Sequence, residues 1–152
     1  MNPPAFKFRL EDVRALRERA ESRAKGDLAE SMASRSDGEL ALQRAQSARD
    51  AARGALRDRA CAGVSGEELL AANAYLEHAE RSRVAAGLDL GRREADVEAR
   101  REALMLASRE RELLERLKAR RSAEHARRAI QVENAALDEM AVSMHSRRGA
   151  RA

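Results

Sequence analysis

The sequence predicts an all-α fold, a long antiparallel two-helix coiled-coil hairpin in which helix 2 is longer than helix 1. Three observations predict it: a helix-forming composition, one strong turn signal, and a seven-residue apolar frame after that turn. Of the 152 residues 37% are charged, and alanine supplies about half of the 43% apolar fraction. Large apolar side chains are therefore too few to fill a multilayer core. Chains dominated by Ala, Glu, Leu and Arg form long helices or coiled coils. Aromatics make up only 2% and strand formers are scarce. Both prolines, Pro3 and Pro4, precede everything else, so none interrupts a later helix.

The first element is a short extended lead-in. Phe6, Phe8 and Leu10 alternate with Lys7 and Arg9, the period of two that an extended segment shows. Helix 1 follows over about 9–60. Its apolar stripe starts at Val13, Leu16 and Ala20 and resumes at Leu42, Ala45, Ala48, Ala52 and Leu56. The intervening "SDGE" at 36–39 is a soft spot where a bend or fraying is expected. The turn, about 61–66, lies in "CAGVSGEE". Gly63 and Gly66 supply turn conformations, and Ser65 with Glu68 three residues later makes a capping box.

Helix 2 follows over about 67–147. Leu69, Leu76, Leu90, Val97 and Leu104 share one heptad frame, interrupted by Arg83. Ala72, Ala79, Ala86, Ala107 and Leu114 lie three residues further along each repeat. This is the a/d pattern of a coiled coil. Arg93 and Arg100 weaken it, as do Gly87 and Gly91 at roughly 1 kcal/mol each relative to alanine. After Leu117 the frame slips and restarts as Ala126, Ile130, Leu137, Met140 and Met144.

A short turn centred near Val64 makes facing residues sum to about 128. Val13 and Leu16 are then expected to pack on Leu113, Leu114 and Leu117, and helix 2 to overhang its partner beyond roughly residue 118 by this geometry. The phenylalanines would reach the start of the overhang, at Ala119, Ala123 and Ala126. There they either staple the hairpin shut or also form a docking surface.

The net charge is only +4, from 30 basic and 26 acidic residues, so clustering matters more than the total. Arg116, Lys118, Arg120, Arg121, Arg127 and Arg128 face a lone Glu124 in one short segment. The same pairing brings that segment to the end where the chain begins. The candidate partner-binding residues are therefore Phe6, Phe8, Arg116, Lys118, Arg120 and Arg121 at the open end, with Tyr75 and Leu76 near the turn.

No catalytic, metal or cofactor residues are expected. His78, His125 and His145 have no second ligand at metal spacing, and Cys61 has no histidine nearby in sequence to activate it. The glycines form no phosphate loop. The lone cysteine excludes an internal disulfide and suits a reducing cytosol. The N-terminus lacks an apolar signal region, and no stretch is long enough for a membrane span. Nucleic acid is a competing partner for the arginines. Glu110, Glu112 and Glu115 beside them suit solvated ion pairing instead, and the aromatics are too dispersed to stack on a strand. A generic coiled-coil scaffold is a further alternative. A monomer is expected in dilute solution.

Three stretches resemble the FliJ family, the small soluble component of the bacterial flagellar export apparatus. They are "FKFRLEDVRALRERAESRAKGDLAE" at 6–30, "ANAYLEHAE" at 72–80 and "RERELLERLKARRSAEHARRAIQVENAALDEMA" at 109–141. Together they cover roughly half of the chain in the family's order. The resemblance implies a non-enzymatic hairpin like the stalk of rotary ATPases. It implies a cytoplasmic protein, peripheral at the inner face of the inner membrane. It also implies three partners: the ring of the export ATPase, the membrane-bound export gate and the export chaperones. The stalk proteins of virulence secretion systems share this architecture.

Overall fold

The computed structural model describes residues 5–149, with side chains described to His145. Two helices account for nearly all of it: α1, Glu11–Ala62, and α2, Gly66–Gly149. They pack against each other, and α2 is the longer. The three residues between them do what the turn signal requires. Gly63 sits at φ 70°, the left-handed conformation in which glycine ends a helix without steric cost. Ser65 and Glu68 close the capping box in both directions. The Glu68 amide donates to Ser65 Oγ at 3.3 Å and the Ser65 amide donates to Glu68 Oε2 at 3.0 Å. Gly66 does not adopt a positive φ; it simply opens α2.

The contacts divide the chain into two units. One joins the chain up to Ala20 with everything from Ala107 onward, and the other is Glu21–Leu106. They are described separately.

The Glu21–Leu106 unit holds the buried residues. Ala52, Ala72, Ala79 and Val97 form its apolar core, with Glu21, Ser31 and Gly38 also buried. All five frame positions Leu69, Leu76, Leu90, Val97 and Leu104 fall in this unit and are buried or half-buried, as are Ala72, Ala79 and Ala86 between them. Arginine completes the seam where leucine is missing. Arg83 is half-buried and bonded to Glu80 at 2.7 Å, and Arg93 is half-buried and bonded to Asp89 at 2.7 Å. A long aliphatic stem covers apolar surface while its charged head reaches a partner. Arg100 instead lies outside the seam, exposed, with Asp27 of α1 at 3.8 Å.

The fraying expected at residues 36–39 does not occur. Helix α1 runs unbroken through them, and Gly38 is one of its buried positions. A Cβ there would lie 2.8 Å from Cδ of Arg93 and 3.4 Å from Cδ1 of Leu90. Gly38 therefore serves close approach of the two helices. Likewise α2 is continuous through Gly87 and Gly91. Ala48, expected in the stripe, is exposed, because Arg49 takes the inward position beside Glu80.

In the terminal unit no described residue is buried, and half-buried side chains and ion pairs do the joining. The expected packing of Val13 and Leu16 on leucine is not found: Leu16 is 60% exposed, Val13 41% and Leu113 65%. Arg14, Ala15 and Arg17 take the inner face instead. Arg14 reaches Glu115 at 2.9 Å and Arg17 reaches Glu110 at 2.7 Å, both across to α2. The register itself is as expected. The pairs Arg14–Glu115, Arg17–Glu110 and Glu11–Lys118 sum to 127 or 129, as do Arg49–Glu80 and Arg100–Asp27 in the other unit.

Candidate functional site

The candidate site lies in the terminal unit, where the lead-in meets α2. Residues 5–8 are non-helical, and a turn at Arg9 and Leu10 leads into α1. That turn is fixed by the backbone: the Glu11 amide donates to the Phe8 carbonyl at 3.2 Å and the Arg14 amide to the Leu10 carbonyl at 2.9 Å. The alternation holds, with Phe6 and Phe8 half-buried and Lys7 and Arg9 exposed between them.

The phenylalanines do not rest on Ala119, Ala123 and Ala126, all of which are exposed. The Phe6 ring instead stands 5.7 Å from the His125 ring, tilted by 57°, in the range aromatic pairs favour. The lead-in and α2 enclose an open groove of about 580 Å³. Phe6, Phe8, Leu10 and Leu117 give it an apolar floor, and Lys7, Arg9, Arg121 and Arg128 supply positive charge, with Glu124 and His125 completing the lining. The lead-in thus covers α2 well past residue 118. The exposed part begins later: residues 130–145 are all exposed, including Ile130, Leu137, Met140 and Met144.

A charged clamp holds the lead-in's exit in place. Glu11 accepts from Arg14 Nε at 2.8 Å with one oxygen and pairs with Lys118 Nζ at 2.9 Å with the other. Arg14 reaches on to Glu115 and Glu18. The Arg14 and Lys118 cations hold the Glu11 carboxyl below the usual carboxylate range, and Glu11 with Glu115 raises the pKa of Arg14. Arginine is charged at any working pH, so the clamp responds to pH through the Glu11 carboxylate.

The structure separates the sequence-predicted residues into three kinds. Phe6, Phe8 and Arg121 line the groove. Lys118 belongs to the clamp, and Arg116 and Arg120 point away with 79% and 78% of their side chains exposed. Arg116 pairs with Glu112 at 3.5 Å, and Arg120 with Glu124 at 3.4 Å. Tyr75 and Leu76 belong to the other unit, where Tyr75 is 60% exposed and Leu76 is half-buried in the seam. Sequence reasoning did not assign Glu11, Arg14 or His125 to the site, and it named Leu117 only as a packing residue. The facing rule held the signal, since it sets Phe6 close to level with His125 and Glu11 with Lys118.

No described helix is long and apolar enough to cross a membrane, and the described residues form no group of three His, Cys, Asp or Glu able to hold a metal.

Fold and site together define a class: an antiparallel coiled-coil hairpin that presents a basic, aromatic surface. Residues 6–150 match the family described as Flagellar FliJ protein. The chain belongs to the FliJ family, which is a non-catalytic component of the flagellar export apparatus. No curated protein and no solved structure matches it.

Proposed function

We propose that this protein is a non-enzymatic adaptor of the flagellar export apparatus, a stalk that couples the export ATPase ring to the export gate and the export chaperones. In this reading the terminal unit docks in the ATPase ring, while Tyr75 and Leu76 contribute to the gate contact. The protein works in the cytoplasm, peripheral to the inner membrane.

The observation that carries the reading is the family match over 6–150, together with the groove that the lead-in forms on α2. A staple alone needs apolar contact and nothing more. Here the apolar floor is lined by several cations, which is how a surface steers an acidic partner and then holds it by apolar contact. The exposed tyrosine at position 75 is the aromatic best placed for a second partner. Deleting the gene tests the reading: loss of flagellar subunit export and of swimming is expected, restored by the wild-type gene. A deletion strain that exports and swims normally would overturn it.

A further inference from the structure

The groove's chemistry goes further than naming an ATPase as its partner. Among the described residues, Lys7, Arg9 and Arg128 make no ion pair at all. Arg121 has only Glu124, at 3.8 Å, and Glu124 is shared with Arg120 at 3.4 Å. Both distances exceed those of a well-formed charged hydrogen bond, about 2.7–2.9 Å. The neighbouring clamp shows what tight pairing looks like in this unit, with Arg14 at 2.9 Å from Glu115 and Lys118 at 2.9 Å from Glu11. Cations over the groove are thus left unsatisfied while those beside it are not. Beneath them lies an apolar floor that is only half-buried.

We propose that the groove binds a short extended peptide segment in which acidic residues flank one or two large apolar side chains. The apolar side chains sit on Phe6, Phe8 and Leu117, and the flanking carboxylates take Lys7, Arg9 and Arg128, drawing Arg121 away from Glu124. This rests on the reading of the terminal unit as a docking surface and names the kind of segment that docks. A nucleic-acid strand would also meet cations and aromatic rings. Only Phe6 and Phe8 offer it stacking faces here, however, and Phe6 is already against His125. The volume of about 580 Å³ lies in the range of sites that take a few side chains.

The test is fluorescence anisotropy on the full chain with three labelled probes: a peptide with a Leu-Phe pair between Asp-Glu pairs, the same peptide with Asn and Gln for the acids, and oligothymidylate. The acidic peptide is expected to bind at physiological salt, and the amide peptide roughly tenfold more weakly. Arg121→Ala with Arg128→Ala is expected to weaken the acidic peptide by about tenfold as well. Phe8→Ala is expected to weaken both peptides. Because both arginines are exposed, their variant keeps its helicity, which circular dichroism checks in the same samples. Equal binding of the two peptides, no effect of the arginine pair, or tighter binding of oligothymidylate would each overturn the proposal. The ATPase is measured separately. If it binds through this unit while the acidic peptide does not, the inference fails and the functional reading stands; the reverse result removes the functional reading alone.

Discussion

Replacing Gly38 by alanine is expected to destabilise the protein, although alanine is the better helix former. Intrinsic propensity favours alanine over glycine by about 1 kcal/mol in a helix interior. The new Cβ, however, would stand 2.8 Å from Arg93 Cδ and 3.3 Å from its Nε. Arg93 must move, and it is not idle. Its Nη1 donates to both the carbonyl and the hydroxyl oxygen of Ser34 at 2.9 Å, and its Nε donates to Asp89 at 2.7 Å. Swinging the side chain away breaks the two bonds to Ser34, worth about 1 kcal/mol each for a partly exposed group. The net loss is then about 1 kcal/mol. Gly91 supplies the control, since nothing lies within 4 Å of a Cβ built there. Gly91→Ala is expected to stabilise by about 1 kcal/mol, leaving a gap of roughly 2 kcal/mol between two substitutions of identical chemistry. Urea denaturation followed by circular dichroism measures both. In an Arg93→Ala background the obstruction is gone, and Gly38→Ala is expected to change sign and stabilise. If Gly38→Ala stabilises the wild-type chain as much as Gly91→Ala does, the close-approach reading of Gly38 is wrong.

Two further predictions concern the acidic limb and the turn. The carboxyls of Glu11 and Glu80 are held below their ordinary range, chiefly by Arg14 and Arg83 respectively. The stability they contribute is complete above the unfolded carboxylate value, about 4.3, and is lost as pH falls through the lower folded value. A thermal-melt series is therefore expected to fall with acidification below that point, less steeply in a Glu11→Gln, Glu80→Gln variant, and a variant as acid-sensitive as wild type would contradict this. Ser65→Ala removes one half of the capping box and is expected to cost about 1 kcal/mol of stability, read as a lower urea midpoint.

Much of this was legible in the sequence, and the failures share one cause. The Ser65–Glu68 box and the Leu69-to-Val97 frame were legible because local chemistry and heptad spacing act without reference to anything distant. The facing rule was legible because a tight turn leaves little freedom in register. Val13 and Leu16 mislead because large apolar residues ordinarily mark a helix's inner face. In a seam this poor in leucine, arginine stems with carboxylates across from them occupy it instead, as Arg14 and Arg17 do. Gly38 misleads because glycine in a helix reads as weakness unless its neighbour is known, and that neighbour, Arg93, is 55 residues away in sequence. The groove was half legible: the alternation of Phe6 and Phe8 shows in the sequence and the facing rule sets His125 near Phe6, but the contact of the two rings is seen only in the structure.

The proposed function requires that the phenylalanines of the lead-in bind the export ATPase and do not merely hold the lead-in on α2. The most direct measurement is the affinity of the full chain for the ATPase, with Phe6→Ala and Phe8→Ala combined, at a temperature where the variant is fully helical. A thermal melt is run on the same sample, and Tyr75→Ala with Leu76→Ala serves as the comparison. The phenylalanine pair is expected to weaken ATPase binding by at least about tenfold, as removal of anchoring aromatics does, and more than the Tyr75 and Leu76 pair. A lower melting temperature with unchanged affinity would contradict it, and would reduce Phe6 and Phe8 to a staple.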